Sequence, residues 1–245
     1  MYFLADANII KKRYVLSELV NETPEVLLIK FNPEDGKPMD FDPGMFVMIS
    51  GIEQATNKTM MARAFSIASD PADKSMEFYI VKEHGGHKTH FADSKPGDPY
   101  IIAGPHGQFR FVPSVNKKVA FIAGGTGLSP FMSMLRQINR LKSGNDVVLF
   151  YSVKYPTEII KKDELMQLGS AVNAKICITV TRAQQGDGWS GECKRIDSEM
   201  IKKYSPDFLE RVFYICGPLP FVNAMKEALK ALSVKEENIK ADVWG

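Results

Sequence analysis

Residues 119–130 read Val-Ala-Phe-Ile-Ala-Gly-Gly-Thr-Gly-Leu-Ser-Pro, an apolar run that breaks into glycines and then into a helix-start signal. Such a turn can hold an anion. Gly124, Gly125 and Gly127 allow positive φ and leave no side chain between main-chain N–H groups and an approaching phosphate. Ser129 before Pro130 reads as N-cap and first helical residue, which would aim the positive end of a helix dipole at the turn. The same residues also serve any tight strand-to-helix connection, so on the turn alone nucleotide binding and a plain structural turn both stand. His84, His87 and His90 fall three apart, a spacing that invites a metal. No fourth ligand accompanies them and Gly85-Gly86 break a regular helical face, so they read more simply as turn residues. Cys177, Cys193 and Cys216 lie far apart without a C-x-x-C spacing, so neither a disulfide framework nor a cysteine-ligated cluster is expected within one chain. Cys216 follows an apolar run, at the carboxyl end of an expected strand, where open α/β sheets bind ligands.

Two kinds of periodicity position these residues. Up to about Val112 the chain shows short β-like runs at 14–20, 26–31, 45–49, 64–68, 76–81 and 98–102, broken by turns such as Asp42-Pro43-Gly44 and Lys95-Pro96-Gly97. That spacing predicts a six-stranded antiparallel β-barrel over residues 1–112. Beyond Pro113 apolar strands (119–122, 147–151, 176–180, 213–215) alternate with helical segments (130–141, 157–168, 197–204, 220–232). This predicts an α/β doubly wound parallel-sheet, Rossmann-like domain over residues 113–245.

With 245 residues the chain is long enough for two cores, and a net charge of +2 gives no electrostatic reason to expect nucleic acid. No apolar run approaches membrane-spanning length and no leader-like segment opens the sequence, so a cytoplasmic protein without a membrane span is expected.

Five short motifs in order carry a resemblance to one family. Arg63-Ala64-Phe65-Ser66 resembles the Arg-x-Tyr-Ser/Thr flavin motif of the ferredoxin-NADP reductase family, with phenylalanine in the tyrosine position. Gly86-His87-Lys88-Thr89 resembles its flavin-phosphate turn, Gly104-Pro105-His106-Gly107-Gln108-Phe109 its Gly-Pro-x-Gly-x-Phe strand end, Gly124–Pro130 its nicotinamide-nucleotide loop, and Cys216-Gly217-Pro218 its Cys-Gly-Pro turn. Pro130 stands where a conventional dinucleotide fingerprint has its third glycine.

The resemblance implies a flavin-dependent oxidoreductase that transfers hydride between NAD(P)H and FAD and passes electrons to a separate acceptor such as ferredoxin, or to a small acceptor. Arg63, a planar cationic fork suited to pyrophosphate, would hold FAD together with Ala64, Phe65, Ser66, Gly85, Gly86, His87, Lys88, Thr89 and Trp244. Ser66, Cys216 and Asp242 would be the residues at the hydride-transfer centre. His106 would lie near the flavin edge or the partner surface. Ala241-Asp242-Val243-Trp244-Gly245 resembles the family's Glu-Val-Tyr terminus, which makes Trp244 the aromatic cover of the flavin and has the last strand return to it. Gly125, Thr126, Gly127, Gly217 and Pro218 would bind the coenzyme. Lys154 and Arg182 would meet a 2'-phosphate, so NADPH is expected, with NADH possible; Lys194 and Arg195 follow nearby, and Glu192 is the one opposing carboxylate. Two other readings stay open: an electron-transfer subunit of a larger complex of the dihydroorotate or sulfide type, and a nucleotide-sensing module without turnover.

Overall fold

In a computed structural model, residues 9–53, 58–82, 91 and 93–244 are described. The first half builds an antiparallel sheet from β1 (Ile10–Asn21), β2 (Val26–Pro33), β3 (Phe46–Glu53), the two-residue β4 (Lys58–Thr59), β5 (Arg63–Ser66), β6 (Met76–Val81) and β7 (Pro99–His106). Hydrogen bonding runs β4-β3-β7-β1-β2-β6, with β5 on the other side of β3. Six of these strands answer the six apolar runs in the sequence. They curl into the expected antiparallel half-barrel because alternate side chains, such as Tyr14, Leu16, Ile29, Phe31, Val47, Ile49, Phe78 and Ile102, turn into one buried core.

The second half is a five-stranded parallel sheet with helices packed on it. Its elements are β8 (Lys118–Gly124), α1 (Ser129–Leu141), β9 (Asp146–Val153), α2 (Lys162–Ala171), β10 (Lys175–Val180), α3 (Ser198–Tyr204), β11 (Val212–Pro218), α4 (Leu219–Ala231) and β12 (Ile239–Trp244). The strand order is β10-β9-β8-β11-β12. The strand path therefore reverses between β8 and β11, the place where open α/β sheets leave a crevice beyond their carboxyl ends. Central strands are apolar on both faces: every residue of β8 after Lys118 is buried.

The two halves share a dry core. Val26, Leu28, Ala68 and Tyr79 of the barrel belong to one cluster with Leu128, Phe131, Met132 and Leu135 of the second half. This contact fixes how the barrel faces the crevice.

Two local expectations are corrected. Ser129 is not the N-cap: residues Gly125–Leu128 form a short 3-10 turn that runs straight into α1, Leu128 is the cap position, and the Ser129 hydroxyl donates back to the Thr126 carbonyl at 2.8 Å. The helix anticipated at 157–168 begins later. Pro156–Glu158 is a 3-10 turn, and Lys161, at φ 47°, is left-handed and closes off any continuous helix before Lys162.

Candidate active site

The glycine turn lies where β8 ends. Gly125 takes φ +57°, and no heavy atom lies within 4 Å of the position a Cβ would occupy, so its backbone borders open space. Gly127 is required for the opposite reason: a Cβ there would lie 2.2 Å from the Cys216 carbonyl oxygen. The anion turn and the Cys-Gly-Pro turn are thus packed backbone against backbone. Phe221, in the first turn of α4, presses its ring against both Gly124 and Gly217, where a Cβ would meet it at 2.9 and 2.8 Å.

A cavity of about 340 Å³ opens above these turns. It is bounded by Gly125, Thr126, Lys154, Thr181, Pro218 and Trp244 from the second half and by Glu25, Val26 and Val81 from the barrel. Its floor is the carboxyl edge of the sheet, and Lys154 contributes a cation to its lining. The Lys154 carbonyl accepts the Arg182 amide at 2.8 Å, so the two cationic residues are backbone partners at adjacent strand ends, and both are exposed. Glu158 also lines the cavity, and its carboxylate is held by the Lys154 amide at 3.0 Å. Glu192 is turned away toward α3: Lys203 at 2.6 Å and the Tyr204 hydroxyl at 2.8 Å take its carboxylate and hold it below the usual carboxylate range. Lys194 is likewise engaged, with Asp197 at 2.8 Å, whereas Arg195 is exposed.

Cys216 is 1% exposed and is the register partner of Ala123 on one side and Asp242 on the other. Burial, reinforced by the Asp242 charge, pushes its thiol well above the ordinary value, so it remains a neutral thiol at physiological pH. Burial likewise pushes the Asp242 carboxyl up, against a hydrogen bond from the Val243 amide. Trp244 pairs in register with Pro218 at the cavity wall.

Asp242 borders a neighbouring cavity of about 300 Å³ that also contains Phe46, Gly107, Gln108 and Lys240. Phe46 is the register partner of Ser66 and stacks on His106 with ring centroids 5.4 Å apart. Lys240 donates to the Tyr214 hydroxyl at 2.9 Å, and that hydroxyl donates to the Arg110 carbonyl at 3.2 Å, which ties β12 to the loop leaving the barrel.

Arg63, Ala64, Phe65 and Ser66 form β5, paired with Ile49, Met48, Val47 and Phe46 of β3. Phe65 is half-buried, with Phe91 at 5.9 Å behind it, so part of its ring remains available to a ligand. Gly85, Gly86, His87, Lys88 and Thr89, with His84 and His90, lie outside the described residues.

The structure therefore gathers Gly125, Thr126, Lys154, Pro218 and Trp244 around one cavity, with Gly127, Cys216 and Gly217 immediately beneath. Arg182 is not among its lining residues but is the exposed backbone partner of Lys154, Asp242 borders the second cavity, and the β5 residues are on the barrel. Phe221 and Glu158 were not singled out from the sequence. A signal for Phe221 exists in the two glycines it contacts, one at each strand end; Glu158 offers none, because its place depends on a turn that replaces a helix.

Residues 121–227 match the model of an oxidoreductase NAD-binding domain. The chain is 30% identical over 217 residues to the glycine betaine monooxygenase reductase subunit of Pseudomonas aeruginosa, covering 87% of this chain and 58% of that protein. It is 25% identical over 229 residues to the reductase component of propane 2-monooxygenase from Mycolicibacterium goodii, covering 90% and 64%. The chain thus spans roughly three-fifths of the curated relatives it matches. Among solved structures, the ferredoxin reductase in carbazole 1,9a-dioxygenase superposes with a TM-score of 0.80 at 25% identity, over 98% of this chain and 71% of that one. A ferredoxin NADP+ reductase from Neisseria gonorrhoeae with bound FAD and NADP shares the fold, with a TM-score of 0.77 at 21% identity over 97% and 99% of the two chains. Residues 121–227 are thus an oxidoreductase NAD-binding domain, and barrel, doubly wound sheet and interlocked glycine and Cys-Gly-Pro turns together give the chain the fold of ferredoxin reductases.

Proposed function

We propose that this chain is an FAD-containing NAD(P)H oxidoreductase that delivers electrons to a separate acceptor protein. The observation that carries this reading is the 340 Å³ cavity. It combines the glycine turn with Lys154, lies over the strand ends where Gly127 packs on the buried Cys216, and is bounded on its other side by the barrel. In this reading residues 1–112 hold the flavin and residues 113–245 the coenzyme.

Bound FAD would supply the chemistry of accepting a hydride and releasing electrons one or two at a time. The protein's own part is positioning and electrostatics. Arg63 offers its guanidinium fork to pyrophosphate, assisted by the backbone of Ala64 and by the turn Gly85, Gly86, His87, Lys88 and Thr89. Phe65 gives an apolar wall, and Ser66 a hydroxyl that can donate to a ring nitrogen. On the other side, Gly125, Thr126 and Gly127 present main-chain N–H groups to the coenzyme pyrophosphate, while Gly217 and Pro218 shape the nicotinamide pocket. Cys216 orients the ring as a neutral thiol, because a buried thiol of raised pKa does not attack. Asp242, whose carboxyl is pushed up by burial, stands in register beside Cys216 and contributes to the electrostatics near the reacting edge. Trp244 covers the cavity mouth.

Lys154 in the cavity lining and Arg182, its backbone partner, favour NADPH, their charges being matched to a 2'-phosphate; Glu158 in the same lining leaves room for NADH. An acceptor on a separate chain is favoured by relatives that bear the names of reductase subunits and components of monooxygenases. The three free cysteines fit the reducing cytoplasm.

The test is direct. The purified protein, supplied with FAD, should be yellow and should bleach anaerobically on addition of NADPH or NADH. A colourless preparation that takes up neither FAD nor FMN would sink the reading.

A further inference from the structure

Behind the nucleotide turn, on the face where α1 meets the barrel, lies a charged groove of about 630 Å³. Its deepest cation is Arg136, two turns into α1, and the guanidinium reaches four residues in three separate segments at once. It donates to the Ala68 carbonyl at 2.8 Å, pairs with the Glu77 carboxylate of β6 at 2.8 Å and the Glu164 carboxylate of α2 at 2.7 Å, and approaches the Tyr79 hydroxyl at 3.4 Å.

Ala68 lies two residues beyond Ser66 and is held from both sides, since its own N–H donates to the Glu77 carbonyl at 2.8 Å. One turn further along α1, Arg140 takes Asp70 of the same segment through contacts of 2.8 and 3.0 Å. Helix α1 is the continuation of the Gly125–Leu128 turn, so a fork on α1 that grips the exit of β5 links the two halves of the candidate site through rigid elements.

Four of the five cations lining the groove are engaged. Lys30, Lys161, Arg136 and Arg140 each already face a carboxylate. Adhesion is not its main contribution: the shared apolar cluster already joins the halves, and a buried ion pair adds little net stability over apolar packing. What a planar fork adds is direction. We propose that Arg136 is a positioning residue that sets the distance and angle between the coenzyme turn Gly125–Leu128 and the flavin-side strand β5. This rests on the hydride-transfer reading above.

The charge states are in place for it. Burial alone would push the Glu77 carboxyl up, yet Arg136, with Tyr79 and Lys30, holds it below the usual range. Burial opposes the Arg136 charge, and Tyr79, Glu77 and Glu164 more than restore it.

The test compares parent, Arg136→Lys and Arg136→Met, each loaded with FAD. The first readout needs no turnover: in coenzyme-free protein, amide hydrogen exchange at residues 66–69 and 125–128 should speed up together, by on the order of tenfold, in both variants. The second is the limiting rate of flavin reduction at saturating NAD(P)H. It should fall on the order of 10- to 100-fold in Arg136→Met and less in Arg136→Lys, with coenzyme affinity and flavin content retained. Unchanged exchange at either segment in Arg136→Lys, or a parental reduction rate in a variant whose melting temperature has dropped, would overturn the proposal. A parent that NAD(P)H does not reduce would instead defeat the hydride-transfer reading and leave the exchange result to decide the linkage. If Arg136→Met does not fold, the lysine variant carries both readouts.

Discussion

Gly127 and Cys216 touch main chain to main chain: a Cβ added at Gly127 would lie 2.2 Å from the Cys216 carbonyl oxygen and 2.6 Å from its carbonyl carbon. Neither atom can swing aside, because both belong to the backbone of a central strand. Gly127→Ala should therefore force the anion turn off β11, destabilise the protein by about 1–3 kcal/mol and weaken coenzyme binding. Gly125→Ala makes a useful contrast. Its Cβ would meet open space, and its penalty is only that of a side chain at φ +57°, about 1–2 kcal/mol, without displacing Cys216. Thermal melts and coenzyme titrations of the two variants separate these effects. A Gly127→Ala protein that melts and binds like the parent would show that the contact does not constrain the turn.

Asp242 contributes a pH dependence opposite in sign to that of carboxyls held low, such as Glu77. The Asp242 carboxyl is raised by burial, so between the ordinary carboxyl range and the raised value the folded protein keeps a proton that the unfolded chain has already released. The contribution to stability is thus greatest in acid and is lost as pH rises through the folded value. Asp242→Asn should flatten this slope and gain stability relative to the parent between about pH 4 and neutrality. Melting curves across that range check the sign. If the residue also supplies a proton during turnover, the same variant should lose the corresponding limb of the pH-rate profile. Parallel melting curves for parent and variant would refute the raised carboxyl.

The architecture was legible in the sequence because it is written in periodicity. Runs such as Pro99–Ile102 alternate about a buried core, and β8 and β9 are apolar enough to be covered on both faces. The glycine turn and Cys216-Gly217-Pro218 were legible because backbone geometry restricts residue type. What escaped was set by tertiary contact. Lys161 is left-handed without being glycine or asparagine, so nothing local announced that α2 would start after it. Ser129 gave up its capping position because the preceding 3-10 turn supplied the helix entry. Arg136 reads as an ordinary helix-surface cation until the fold brings Ala68, 68 residues away in sequence, against its fork.

Two cations predict a split between coenzymes. Lys154 and Arg182 are joined through a 2.8 Å backbone hydrogen bond, which keeps their side chains in one neighbourhood at the strand ends. Removing either charge leaves the cavity floor intact. Arg182→Ala should raise the NADPH KM about tenfold or more and leave NADH nearly unchanged, the loss of one charge-assisted contact to phosphate being worth about 1.5–3 kcal/mol. Glu158→Gln should move in the opposite sense and improve NADPH relative to NADH, since it removes a carboxylate from the same cavity. Steady-state kinetics with both coenzymes decide the matter. Equal losses for NADPH and NADH in Arg182→Ala would remove the 2'-phosphate from its role.

Trp244 stands at the cavity mouth, in register with Pro218 and 37% exposed. Under the proposed function a nicotinamide ring would use the apolar wall this indole occupies, so coenzyme entry and indole contact would compete for the same space. The competition is one-sided in its consequences. Replacing Trp244 by alanine leaves the glycine turn, Lys154 and Arg182 untouched, so the contacts proposed for the pyrophosphate and phosphate remain. What changes is the free energy needed to move the aromatic aside. Trp244→Ala should therefore tighten nicotinamide stacking on the oxidised flavin and produce a stronger long-wavelength charge-transfer band on titration with NADP+. Coenzyme should also dissociate more slowly and lower kcat if release limits turnover. A smaller aromatic change, Trp244→Phe, should fall between parent and alanine. A titration spectrum for Trp244→Ala that overlays the parent's would mean that the indole lines the cavity without guarding it.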